Sequence, residues 1–157
     1  MASWRQHVSA KRARGGDSRL KDTTARLLDK SEQSVAAADH LLRDGYADFA
    51  AARAYYAMFY AAEALLSEAG HRFRKHAGIH AAFGTHFAKT GLLDPKYHSW
   101  LLDAFDKRII GDYGIEQVLA RGDAALLISQ ATEFVGAARA FLNNPPTEPQ
   151  GSPPVTR

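Results

Sequence analysis

The sequence contains no cysteine, which excludes disulfides, thiolate catalysis and cysteine-based zinc sites. It also lacks a long apolar run. The longest, Ala54 to Ala62, falls far short of the ~20 residues a membrane-spanning helix needs, so no membrane association is expected. No apolar stretch follows the N-terminal residues, so a cleaved secretion signal is not expected and the cytoplasm is the default compartment. Strict apolar/polar alternation, the mark of half-buried strands, is missing, and so are internal repeats. There is no Gly-x-Gly-x-x-Gly, P-loop, Gly-x-Ser-x-Gly or His-Glu-x-x-His, so none of those cofactor, nucleotide or metal chemistries is signalled. No cofactor and no metal are expected.

What is present suits one globular domain. The 157 residues, 46% hydrophobic and 24% charged, can bury a core large enough to fold alone. The net charge of +3 is unevenly placed, because residues 1–30 hold eight Lys/Arg against three Asp/Glu. Residues 1–20, interrupted by Gly15 and Gly16, show no apolar period and predict a disordered basic arm. Such an arm is drawn to RNA or an acidic partner by counterion release, or serves only as a solvated leader. Beyond residue 144 the chain is rich in proline, which predicts a disordered tail over 145–157. The domain proper is expected over 21–144.

Within it the apolar spacing predicts five helices. The first covers Thr24 to Arg43, with Leu27, Leu28, Val35, Ala38, Leu41 and Leu42 on one stripe and Gly45 as its C-terminal stop. The second, Tyr46 to Ala69, is apolar on every face apart from Arg53 and Glu63. A charge inside such a helix must be paired or sit at a cleft. The third spans His76 to Lys89. The fourth begins at Asp94-Pro95, an N-cap followed by proline, and ends between Gly111 and Gly114. The fifth starts near Asp123 and stops at Asn143. Short connections between amphipathic helices predict an antiparallel all-α bundle. The apolar second helix leaves spare surface, which predicts a homodimer or a permanent partner. His76 and His80 stand one turn apart and could share a metal, but no carboxylate on that helix completes a site, and a surface pair is the simpler account.

Three blocks carry a resemblance. Arg53-Ala-Tyr55-Tyr56-Ala-Met58-Phe59-Tyr60-Ala-Ala-Glu63-Ala-Leu65-Leu66 is the first, Lys75-His76-Ala77-Gly78 with Phe83 and Lys89-Thr90-Gly91-Leu92 the second, and Phe105 to Gly114 the third. Together they resemble the HEPN family, in the bacterial and archaeal branch often encoded beside a small nucleotidyltransferase. The resemblance implies a five-helix up-and-down bundle and a dimer. It implies a toxin-like role in a toxin–antitoxin module with a separate nucleotidyltransferase-type antitoxin, and a link to RNA or nucleotide phosphates.

Active HEPN ribonucleases carry an arginine followed four to six residues later by a histidine. A guanidinium holds the phosphate through paired hydrogen bonds, and an imidazole moves the proton of the attacking 2′-hydroxyl. At the matching place here, Arg108 is followed by Asp112 and Tyr113 and by no histidine at that spacing. Two readings stay open for these residues. Arg108, Asp112 and Tyr113 form a catalytic or phosphate-binding cluster, with Arg53 as a further phosphate or RNA contact, or Arg108 and Asp112 are a solvated i, i+4 pair. The function is correspondingly either RNA binding or metal-independent cleavage in a dimer groove, or a non-catalytic protein-interaction or nucleotide-binding module. Arg74 and His80 fit the spacing literally, but so loose a motif recurs by chance, and they fall outside the matching block.

Overall fold

The structure is a computed structural model that describes Trp4, Gln6, His7, Ala10, residues 19–116 and residues 118–146. Five helices follow one another without a strand among the described residues: α1 (Asp22–Arg43), α2 (Ala47–Glu68), α3 (His76–Phe83), α4 (Lys96–Tyr113) and α5 (Arg121–Asn143). A π-helical turn, Gly84–Ala88, continues α3. The expected all-α, five-helix up-and-down bundle is the observed one.

Helix α2 is the central post and packs on α1, α4 and α5. Fifteen of its 22 residues are buried, which its alanines make feasible. Ala50, Ala54, Ala57, Ala61 and Ala64 are wholly inaccessible, and the small side chains let neighbouring backbones come close. At the α1 crossing the Ser31 hydroxyl donates to the carbonyl of Ala57 at 2.6 Å. Tyr55, Met58, Phe83, Phe87, Leu101 and Phe134 fill the remaining space. Each apolar side chain of that size contributes roughly 1.5–3 kcal/mol by leaving water.

The buried stripe of α1 differs from the expected one. It runs Thr24, Leu28, Ser31, Ser34, Ala38 and Leu42, while Leu27, Val35 and Leu41 are only half-buried. Hydroxyls escaped an apolar count, yet each is satisfied where it lies. Thr24 Oγ1 donates to Glu68 at 2.8 Å and Ser34 Oγ to the carbonyl of Lys30 at 2.8 Å, so burial costs little.

The predicted stop holds at Gly45, and Gly70 and Gly91 close the next two helical segments in the same way, each of the three with the positive φ that glycine tolerates. Asp94 caps α4, its Oδ1 accepting the N–H of Lys96 at 2.9 Å. Helix α5 begins at Arg121 rather than Asp123, anchored where Arg121 Nη1 donates to the carbonyl of Leu42 at 3.0 Å. The expected tail lies almost wholly outside the described residues, as does most of the expected arm. At Trp4, Gln6, His7 and Ala10 of the arm the chain is helical, and Trp4 is buried, its ring 4.8 Å from Phe141 and 6.0 Å from Phe87. A lone tryptophan has no period to detect, yet it carries one of the largest apolar surfaces of any side chain.

Candidate nucleic-acid interface

Apart from Asp48, the residues of α2 that stay open to solvent form one stripe: Phe49, Arg53, Tyr56, Tyr60, Glu63 and Ser67. Their three- and four-residue spacing keeps them on a single helix face. Cations come onto the rings of this stripe. From α1, Lys30 Nζ lies 4.7 Å from the centre of the Tyr60 ring. Arg53 reaches Tyr56 at 4.7 Å, and Arg108 of α4 reaches the same ring at 5.1 Å and Tyr55 at 5.7 Å. Among the described residues Arg53 has no carboxylate partner. The aromatic face takes that place, so of the two expectations for this charge, a pairing or a position at a cleft, the pairing with a carboxylate is not met. Arg53 sits half-exposed, where water still solvates part of its charge.

Arg108 and Asp112 meet as their spacing requires. Nε of Arg108 lies 3.0 Å from Oδ2 of Asp112, with the side chains 25% and 39% exposed. The distance allows ion pairing, but the angle at Nε does not make a hydrogen bond, so the carboxylate orients the guanidinium loosely. Tyr113 is 85% exposed and makes no hydrogen bond or ring contact among the described residues. The structure thus brings Arg108, Asp112 and Arg53 towards one surface and leaves Tyr113 pointing to solvent.

Behind that surface is a network the sequence did not foretell. The Tyr55 hydroxyl lies 2.8 Å from His80 Nε2 and 3.1 Å from His76 Nδ1. It carries a single proton, so it donates to one imidazole and accepts from the N–H of the other. The i, i+4 histidine pair that looked like a surface feature therefore clamps a phenol from α2. His76 also stacks on Phe59 at 4.2 Å, and His80 meets Phe105 edge-on at 5.0 Å. His98 Nε2 donates to the carbonyl of His80 at 3.1 Å, which fixes the proton of His98 on that nitrogen. Gly84 permits this, because a Cβ there would stand 2.7 Å from the His98 ring.

Burial governs the protonation of this network. It pushes the Tyr55 phenol well above its usual range, against an opposing effect from Arg108. It lowers His80 to about 4, helped by His76 and His98, with Asp106 opposing. His76 is lowered by burial and then by the Arg108 charge. All three groups are uncharged at neutral pH. A separate cavity of about 230 Å³ lies further along α2, lined by Leu27, Glu63, His71 and Phe73 among others. It shares Glu63 and Ser67 with the stripe but includes none of the tyrosines, histidines or cations of the network above, and the chemistry gathered around Tyr56 makes the open stripe the stronger candidate.

Residues 24–141 match the HEPN domain family. The chain belongs to that family. Among similar proteins, a UPF0332 protein of Gloeobacter violaceus is 39% identical over 117 residues, which cover 74% of this chain and 93% of that one. Two proteins of Methanocaldococcus jannaschii, each named "Putative toxin", are 30% and 29% identical over 124 and 123 residues. Those spans cover 79% and 78% of this HEPN chain, and 84% and 91% of the relatives. No helix among the described residues is long and apolar enough to cross a membrane.

Proposed function

We propose that this HEPN protein is the toxin-like half of a two-chain module and engages RNA through the open stripe of α2, anchored by Arg108. One observation carries the reading: cations from α1, α2 and α4 rest on Tyr56 and Tyr60 of a single half-open helix face. Single-stranded nucleic acids bind surfaces where cations track the phosphates and aromatic faces receive the bases. The single aromatic residue of the basic arm, Trp4, is buried against Phe141 and Phe87, whereas the stripe keeps its rings partly open. Arg108 suits a phosphate, since Asp112 engages only one edge of its fork and other donors remain available. The toxin-like assignment follows the names of the two archaeal relatives, and the partner is a small nucleotidyltransferase acting as antitoxin.

Dimer formation belongs to the same reading. Tyr46, Phe49, Ile110, Tyr113, Ile115 and Val118 are large, apolar and exposed, and they gather at one end of the bundle. Asp48 draws them together, its carboxylate accepting the N–H groups of Val118 and Leu119 at 3.2 and 3.0 Å. An apolar collar of this kind marks a protein-binding surface, suited to a second copy or the antitoxin. It also favours the rival reading of a pure interaction module.

Titration of the purified protein with a labelled single-stranded RNA separates the two. Arg108→Ala should weaken binding by about 1.5–3 kcal/mol, the range for hydrogen bonds to a charged group. Arg108→Lys should restore only part, because an ammonium keeps the charge and loses the fork. If Arg108→Ala binds RNA like the parent while still dimerising, the RNA reading fails and the interaction module stands.

A further inference from the structure

The cavity of about 230 Å³ beside α2 is lined by Glu63 and Ser67, which also belong to the open stripe. We infer that it is a base pocket that selects guanine from a strand lying along the stripe. Glu63 reads the two adjacent N–H groups of the base, and Arg72 reads its O6 and N7 acceptors. The inference rests on the reading of the stripe as an RNA surface.

Three helices and one connection build the cavity. Leu27 of α1, Leu66 of α2 and Ile79 of α3 give it apolar walls. The connection from α2 to α3 adds the ring of Phe73 and the guanidinium of Arg72. Gly78 makes room for that ring, since a Cβ there would stand 3.1 Å from it. The ring of His71 stacks 6.4 Å from Phe73 and 4.4 Å from His86. An apolar enclosure with an aromatic wall and a few polar groups is the usual form of a small-ligand site.

Glu63 sets what the cavity asks of a ligand. It is the one acidic residue among those lining it. Among the described residues it accepts no hydrogen bond and joins no ion pair. Burial pushes its carboxyl above the usual range, against an opposing effect from Lys30, whose Nζ lies on the Tyr60 ring. A carboxylate drawn out of water without a donor is costly, and a ligand bearing N–H groups offsets that cost. Arg72 is exposed and is likewise without a hydrogen bond or ion pair among the described residues, so its fork is available. Burial, and then His86, lower the titration of His71, which therefore adds no charge at neutral pH.

The charges of Glu63 and Arg72 cancel, which favours a neutral ligand carrying both donors and acceptors over a simple cation or anion. Guanine alone among the four bases presents two adjacent N–H donors, at N1 and N2, on its Watson–Crick edge. They match the two oxygens of a carboxylate. Adenine and cytosine turn a ring-nitrogen lone pair that way, and uracil flanks its single N–H with two carbonyls. Each of these sets an acceptor against Glu63. The O6 and N7 of guanine accept the paired donors of an arginine, and its face stacks on an aromatic ring such as Phe73. Position agrees with chemistry. Glu63 stands two helical turns beyond Tyr56, about 10 Å along α2. A strand anchored at Arg108 and laid over Tyr56 and Tyr60 thus brings a neighbouring base to the cavity.

The full-length chain is titrated with labelled single-stranded RNAs, all uridine except for one central guanine, adenine, cytosine or inosine. The guanine strand should bind about 5- to 150-fold more tightly than the adenine, cytosine and all-uridine strands, the range for one bidentate base contact. Inosine, which is guanine without its exocyclic amine, should lose at least about fivefold against guanine. That comparison uses the parent chain and so stands even if a variant fails to fold. Glu63→Gln replaces one carboxylate oxygen with a donor and should bring the guanine and adenine strands close to equal affinity. Arg72→Ala should remove part of the preference. Free guanosine monophosphate, at the concentration of the strand, should not displace it, because it lacks the contacts along the stripe. An all-uridine strand bound in an Arg108-dependent way, with no preference for guanine over inosine, overturns the pocket and leaves the stripe reading intact. A guanine preference kept in full by Glu63→Gln overturns it as well. Displacement by the free nucleotide assigns the cavity to a small ligand and overturns the strand-borne base. Failure to bind any of the strands overturns the stripe reading, and the pocket with it.

Discussion

Two regions meet at Arg108 and differ in almost every physical respect. On one side is the last turn of α4, where Arg108 and Asp112 pair one turn apart at 25% and 39% exposure and Tyr113 stands 85% exposed. On the other is the Tyr55 cluster, where a wholly buried phenol is shared by two histidines from α3. The first is built by neighbours along the chain and is bathed in water, so its pairing contributes little to stability. The second is built by residues from separate helices in a poorly hydrated interior, where an unmade hydrogen bond is costly. A helix end adjusts its chemistry cheaply, while a buried cluster holds its geometry because it has no solvent to fall back on.

Truncating the buried partner should break the contrast most visibly. Tyr55→Ala should cost about 3–5 kcal/mol in urea unfolding, as for other large aromatic truncations. Tyr55→Phe should cost about 1–3 kcal/mol, since the ring still packs and only the hydroxyl shared by His76 and His80 is lost. No loss for Tyr55→Phe would mean that packing alone holds the cluster together.

Acid acts next. His80 is held at about 4 by burial first, then by His76 and His98, against about 6.5 for an unfolded histidine. Its folded-state value is depressed, so the stability it confers is complete above about pH 6.5 and is lost as the pH falls towards 4. The slope should be on the order of 1 kcal/mol per pH unit. Urea midpoints at pH 7, 6 and 5 check this, and His80→Gln should flatten the dependence. A midpoint independent of pH over that window would place the acid-sensitive groups elsewhere.

A smaller effect is expected where the two regions are tied. Asp48 holds the loop after α4 through Val118 and Leu119, so Asp48→Ala should cost about 1–2 kcal/mol, the worth of two hydrogen bonds to a charged group partly exposed to water. Hydrogen exchange should quicken at those two amides first. The smallest effect is at the open end itself. Asp112→Ala should change stability by no more than about 0.5 kcal/mol while altering RNA affinity, because it frees the edge of Arg108 that the carboxylate occupies. A large loss of stability there would show that the helix end is held more tightly than its exposure suggests.

Much of the bundle was legible beforehand because its signals are local. The stops at Gly45, Gly70 and Gly91 follow from glycine's tolerance of positive φ. The cap at Asp94 and the burial of α2 follow from residue type and spacing. Thr24, Ser31 and Ser34 were missed as core residues because their hydroxyls find partners only once α1 is docked or wound. Trp4 was missed because one aromatic residue leaves no period. Of the candidate site, Arg108, Asp112 and Arg53 could be named from the chain, and the i, i+4 relation of His76 to His80 was visible without its purpose.

The sequence by itself determined the number of helices, their faces and the pairing of Arg108 with Asp112, since each depends on contacts within a few residues of chain. Only the tertiary structure decided that Arg53, Arg108 and Lys30 would share the rings of one α2 stripe, and that His76 and His80 would share the Tyr55 hydroxyl. Apart from Arg53 and Tyr56, which stand three residues apart on α2, those contacts join residues tens of positions apart, and no local spacing encodes them. They are set by how closely the alanines of α2 let its neighbours approach, which is a property of packing and not of any one segment.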